Sequence, residues 1–163
     1  MSKASVSTKP LPRDRKAERG SVMIMTAILM TGIILAVGLC IDIARLYMVR
    51  TELQNAADAA ALSAARELSS GSGGIADAVT RATTIVNNYG FNDAVVNVTA
   101  VNVRFAINLN GPYVAAATAQ GAPANYRFVQ VTTESVSTPM LFSARVLGAS
   151  RTQSRQAVAG MSV

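Results

Sequence analysis

Seven carboxylates follow residue 41: Asp42, Glu52, Asp58, Glu67, Asp77, Asp93 and Glu134. A carboxylate-based hydrolase needs two of them facing one bond, one protonated and one ionised. None of the seven forms a recognisable pair, and most fall on helical stretches among other charges. There is no histidine, which removes imidazole bases, histidine-containing triads and imidazole-bound metals. Cys40 is the single cysteine, so neither an internal disulfide nor a multi-cysteine zinc site can form. The three lysines, Lys3, Lys9 and Lys16, all stand near the N-terminus. A Ser–Lys dyad or a phosphate-holding lysine in the body of the chain is therefore excluded. The expectation is a protein without catalysis, cofactor or metal.

The composition points to a membrane instead. Half of the 163 residues are hydrophobic, while 5% are aromatic and 15% charged. That size suits one domain, or an anchor plus a small domain. The formal net charge of +6 divides around one apolar run. Residues 1–19 carry six cations against Asp14 and Glu18, and residues 42–163 carry nine arginines against seven acids. The scattered arginines are not interleaved with aromatics, and no nucleic-acid partner is expected. Val22 to Ile41 holds 20 residues without a charge. At 1.5 Å per residue such a helix spans about 30 Å, the thickness of a bilayer's hydrocarbon core. Arg13, Arg15, Lys16 and Arg19 before it predict a cytoplasmic N-terminus and an extracytoplasmic remainder. A cleaved signal peptide would have a shorter apolar core and small residues at its end; this run ends in Leu39-Cys40-Ile41-Asp42.

From Asp42 to Ser70 neither Pro nor Gly interrupts a stretch rich in Ala, Leu, Arg, Glu and Gln. These are good helix formers. One helix from about Ser21 to Leu68 would be roughly 70 Å long. Its projecting half has an alanine-rich seam. Leu46, Leu53 and Ala60 recur every seven residues, with Val49, Ala56 and Ser63 three positions on, and Ala57, Ala61, Ala64 and Leu68 widen the stripe. Such a face admits a close neighbour. That neighbour is either the chain's own C-terminal domain or a helix of another subunit. Asp42 and Arg45 are spaced for an i,i+3 pair where the helix leaves the bilayer, and Tyr47 is placed to sit among headgroups.

Ile75 to Tyr89 predicts a second amphipathic helix. Val95 to Leu109 reads as a strand with a break near Ala100, Tyr113 to Ala119 as a short strand and Tyr126 to Thr133 as a strand. Asn110-Gly111-Pro112 and Gly121-Ala122-Pro123 read as turns. Thr138-Pro139 is expected to open a short helix that Gly148 ends, and Arg151 to Met161 a last strand. The fold class is α+β, with an antiparallel sheet covered by helix. The expected division is a disordered basic tail over 1–18, the membrane-spanning and stem helix over 19–70, and a small extracytoplasmic α+β domain over 71–163.

One stretch also resembles a known family. Arg19-Gly20-Ser21, the apolar run, Asp42, Arg45, Tyr47, and Arg50-Thr51-Glu52-Leu53-Gln54-Asn55-Ala56-Ala57-Asp58-Ala59-Ala60-Ala61-Leu62-Ser63-Ala64-Ala65 resemble the N-terminal signature of TadE/TadG-like Flp (tight adherence) pilus-assembly proteins. The resemblance covers about 45 positions. Val129, Val131, the Pro139–Leu147 segment and Gly148 also look like the C-terminal part of short members. It implies a bacterial inner-membrane, single-pass, minor-pilin-like or assembly protein with a small pilin-like domain. The implied partners are membrane lipid and other pilus-assembly or pilin-like subunits, with homo- or hetero-oligomers formed through the stem. Seam and resemblance together give Leu46, Val49, Leu53, Gln54, Asn55, Ala57, Asp58, Ala60 and Ala64 as candidate packing and interaction residues of the stem. Prepilin processing in that system cuts after a Gly, here Gly20 before Ser21, and wants Glu at the fifth mature position. Met25 stands there, so the resemblance favours an uncleaved, short TadG-like form. The alternative outside a pilus is a membrane-anchored extracytoplasmic binding or adhesion module.

Overall fold

A computed structural model describes residues 15–68, 71, 73–86, 90–91 and 94–161. Helix α1, Arg15–Glu67, runs unbroken for 53 residues, about 80 Å. It starts six residues before the expected Ser21, because no proline or cap interrupts the polar residues ahead of the apolar run. Arg15–Glu18, assigned to a disordered tail from the sequence, are thus helical; residues 1–14 of that tail lie outside the described residues. Threonines within the apolar run return their hydroxyls to the helix, Thr26 to the Val22 carbonyl at 2.8 Å and Thr31 to that of Ala27 at 2.9 Å. No polar side-chain group there is left over.

Helix α2, Gly74–Ile85, packs on α1 through buried Ile75, Ala78 and Ala82. Its expected end at Tyr89 lies outside the described residues. A two-stranded ribbon follows, β1 (Gly90–Phe91) antiparallel to β2 (Ala94–Val95). A 3₁₀ turn at Ala100–Asn102 then supplies the break expected near Ala100. The main sheet is built from β3 (Val103–Ala106), β4 (Val114–Ala115), β5 (Phe128–Thr132) and β8 (Gln156–Gly160) in the order β4-β3-β5-β8, all antiparallel. Between β4 and β5 lies the single-turn helix α3, Ala116–Ala119, where a longer strand was expected. The expected Val95–Leu109 strand is also shorter. Val101, Ile107 and Leu109 are exposed, whereas Val103 and Phe105 are buried.

Register explains how the sheet meets the helices. Val103 pairs with Val131 and Val131 with Ala157; Phe105 pairs with Val129 and Val129 with Ala159. These two cross-strand rows form the inner face, and α1 lies over β5 and β8. The row ends in alanines where the alanine seam of α1 comes closest. The outer face carries Arg104, Gln130 and Val158 in one row. A polar outer face is ordinary for an antiparallel sheet covered on one side.

Two sequence expectations fail in the last quarter of the chain. Thr138-Pro139 does not start a helix: it ends strand β6 (Val136–Pro139), which pairs with β7 (Ser150–Gln153). Helix α4 is delayed to Ala144–Leu147, after Thr138 and Pro139 have paired with Arg151 and Ser150 in extended conformation. The single last strand expected over Arg151–Met161 divides into β7 and β8, which belong to different sheets. At the division Thr133 N–H donates to the Arg155 carbonyl (2.8 Å) and Arg155 N–H to Thr133 Oγ1 (2.9 Å).

Candidate functional site

Asp42, one residue beyond the uncharged run, is 1% exposed. An unpartnered carboxylate at that height is costly, and this one is fully partnered. Its Oδ1 accepts the Leu141 N–H at 2.9 Å. Its Oδ2 accepts the Phe142 N–H at 3.0 Å, the Ser143 N–H at 2.6 Å and the Ser143 hydroxyl at 2.7 Å. Three successive backbone donors turned on one anion form an anion-binding concavity. Burial alone pushes a carboxyl up, but the Ser143 hydroxyl and the N–H groups of Ser143, Leu141 and Phe142 favour the charged form, and Asp42 falls from 3.8 to about 2.

The loop reaches Asp42 because the β6–β7 arm runs down the side of α1. Gln153 Nε2 donates to the Leu46 carbonyl at 3.4 Å, and Met140 N–H to the Ala149 carbonyl at 3.0 Å closes the arm's end. Phe142 then lies over Gly38, where an added Cβ would stand 2.6 Å from the Phe142 Cβ. Asp42 is thus joined to the far end of its own chain and not, as its spacing suggested, to Arg45. Sequence reasoning missed this role. The usable signal was a carboxylate directly after 20 uncharged residues, which demands a partner. That partner lies about a hundred positions away, where no local pattern reaches.

The stem residues fall into two sets. Val49, Leu53, Ala57, Ala60 and Ala64 are buried, in one core with Ala56, Ala61, Ala65 and Leu68. Leu46 and Gln54 are half-buried, while Asn55 and Asp58 are exposed. Gln54 Nε2 donates to Asp58 Oδ1 at 2.9 Å, an i,i+4 bond along the outer side. The buried side is covered by α2 and the sheet of the same chain. Arg50, Asn55, Asp58, Leu62 and Arg66 remain on the side facing away. Gly20 and Ser21 are exposed inside α1, and nothing lies within 4 Å of a Cβ placed on Gly20.

Little here is arranged for reaction. Among the described residues no three of His, Cys, Asp and Glu gather as metal ligands. Cys40 is an exposed free thiol. A surface depression of about 510 Å³ beside the start of β5 is lined by Asn108, Asn125, Arg127, Phe128 and Met161 among others, with no carboxylate. Asp42 itself is buried, and both of its oxygens are engaged by the loop. Its chemistry is that of a clamp, which fixes the domain to the end of the apolar run.

Gly20 to Glu67, the apolar run and stem together, is the segment that resembles known proteins. Residues 20–67 match the Tad family model, "Putative Flp pilus-assembly TadE/G-like". The match supports involvement in Flp pilus assembly. It ends at the residue where α1 ends, so the segment similar to Tad proteins is one continuous helix. No curated protein and no solved structure matches the chain. Among the described residues α1 is also the one helix long and apolar enough to cross a membrane, which fits single-pass anchoring.

Proposed function

We propose that this chain is a non-catalytic component of Flp pilus assembly, held in the bacterial inner membrane by residues 22–41. The basic N-terminal residues lie in the cytoplasm and residues 71–163 form the extracytoplasmic domain. The observation that carries this reading is the Tad match over a helix of two characters. Its first half is apolar and uncovered, and its second half is buried in the domain. A pilin-like subunit needs both, a lipid-held segment and a rigid stem that presents a domain above it.

Between minor pilin and assembly scaffold, Met25 at the position where processing wants Glu favours the uncleaved scaffold. Subunit contacts use the outward side of the stem, around Asn55, Asp58 and Leu62, because the inward side is filled by the chain's own core. Intact mass and fractionation of the native protein test this. The expected result is an uncleaved chain in the inner membrane and loss of surface fibres when the gene is deleted. A chain beginning at Ser21 in sheared fibres would make it a minor pilin. Normal fibres after deletion would remove it from pilus assembly.

A further inference from the structure

We propose that Leu141 and Phe142 form a second, shallow membrane contact, entering the headgroup–acyl boundary of the leaflet from which the domain projects. The proposal rests on residues 22–41 being a membrane span. Leu141 and Phe142 are 59% and 52% exposed, although Met140 and Ser143 on either side are buried. Two large apolar side chains at a loop tip are costly in water, so what surrounds them matters.

Their height is fixed by contacts to α1. Leu141, Phe142 and Ser143 are hydrogen-bonded to Asp42. Phe142 reaches further, to Gly38, which lies about 6 Å along the helix toward the span's centre. Gly38 belongs to the last turn of the uncharged run. Leu39 and Ile41 in the same turn are exposed apolar residues, and the medium that covers them also covers Phe142. That medium is lipid. Arg145 and Arg151, both exposed, flank the same end of the β6–β7 arm, where long cationic side chains can reach lipid phosphates. A helix alone leaves the domain free to swing about its axis. A second contact beside it fixes the domain's tilt.

The chain has no tryptophan, so one introduced Trp is a unique fluorophore. The full chain is placed singly in nanodiscs of phosphatidylcholine and phosphatidylglycerol, with or without brominated acyl chains. Leu141→Trp and Phe142→Trp are the probes, the first of them free of the tight Gly38 contact. Leu29→Trp marks the span, and Leu109→Trp, at the far end of the sheet, marks the aqueous domain. The expected result is a blue-shifted emission and loss of most intensity to shallow bromines at either loop position. Leu29→Trp should be quenched and Leu109→Trp unaffected. Loop probes that behave like Leu109→Trp while Leu29→Trp is quenched would overturn the proposal and leave the span standing. An unquenched Leu29→Trp would overturn the span, and the proposal with it.

Discussion

The two halves of α1 invert the usual relation between side-chain size and burial. From Val22 to Ile41 the helix carries Ile, Leu, Met and Val, and nearly all are exposed. From Val49 to Leu68 its inner side is mostly alanine, and nine positions there are buried. In water the large apolar side chains would be the ones to hide. On the proposed membrane span they stand where lipid would surround the helix, and small residues stand where a sheet and a second helix come close. Residue size along one continuous helix thus records which medium covers it. At the boundary sits Asp42, whose four hydrogen bonds tie the halves to one domain.

The comparison is broken most severely by putting a charge into each half. Leu53→Asp or Ala60→Glu buries a carboxylate in the alanine seam without a partner, at a cost of several kcal/mol. The domain should lose protease resistance and its thermal transition in detergent. Ile34→Asp should leave that transition unchanged and instead weaken membrane insertion by about 3 kcal/mol, read by carbonate extraction. A seam variant with a native melting profile would show that the stem is not part of the core.

The next effect lies at the boundary. Asp42→Ala leaves three N–H groups of residues 141–143 and the Ser143 hydroxyl without their acceptor. The loop should open and residues 141–149 become protease-sensitive, with a smaller loss of melting temperature than the seam variants cause. The acid response has a defined sign. Asp42 binds its proton more weakly in the folded protein (about 2) than when unfolded (near 3.8). Its stabilising contribution is therefore fully present above about pH 4 and is lost as pH falls toward 2. Asp42→Asn should remove that part of the acid response while preserving the loop's shape better than Ala. An unchanged acid transition in Asp42→Asn would place the sensitivity elsewhere.

Much of this arrangement was legible because it is local. The uncharged run, the alanine seam and the strand Phe128–Thr132 each announce themselves through periodicity over a few turns. The residues that fail do so where a distant partner overrides local pattern. Pro139 looked like a helix start, yet it pairs with Ser150, more than ten positions away, in a strand, and the helix waits until Ala144. Arg151–Met161 looked like one strand, yet its first part serves the arm beside Leu46 and its second part the main sheet. Asn55 and Asp58 belong to the recognisable family stretch but face away from the core, since a sequence motif does not distinguish the two sides of a stem. The Asp42 clamp was the least visible of all, because half of it is the backbone of a Leu-Phe-Ser sequence, which no side-chain pattern marks.

The smallest expected effects come from two glycines of the same helix, and their contrast is the sharpest. Nothing lies within 4 Å of a Cβ placed on Gly32, whereas one on Gly38 would meet Phe142 side-chain atoms at 2.6 to 2.9 Å. Gly32→Ala adds a methyl in open space and improves helix propensity, so its effect should be neutral or stabilising by less than about 1 kcal/mol. Gly38→Ala must push Phe142 off the helix, and with it the loop that holds Asp42. Forcing a methyl into a filled contact costs about 1–3 kcal/mol. The two substitutions are chemically identical and lie six residues apart, so intrinsic helix preference cancels between them. What remains in the difference of their melting temperatures is the contact between the loop and the last turn of the apolar run. Equal melting temperatures would mean that Phe142 does not rest on Gly38, and the loop would then be held to α1 by Asp42, with Gln153 on Leu46 holding the arm above it.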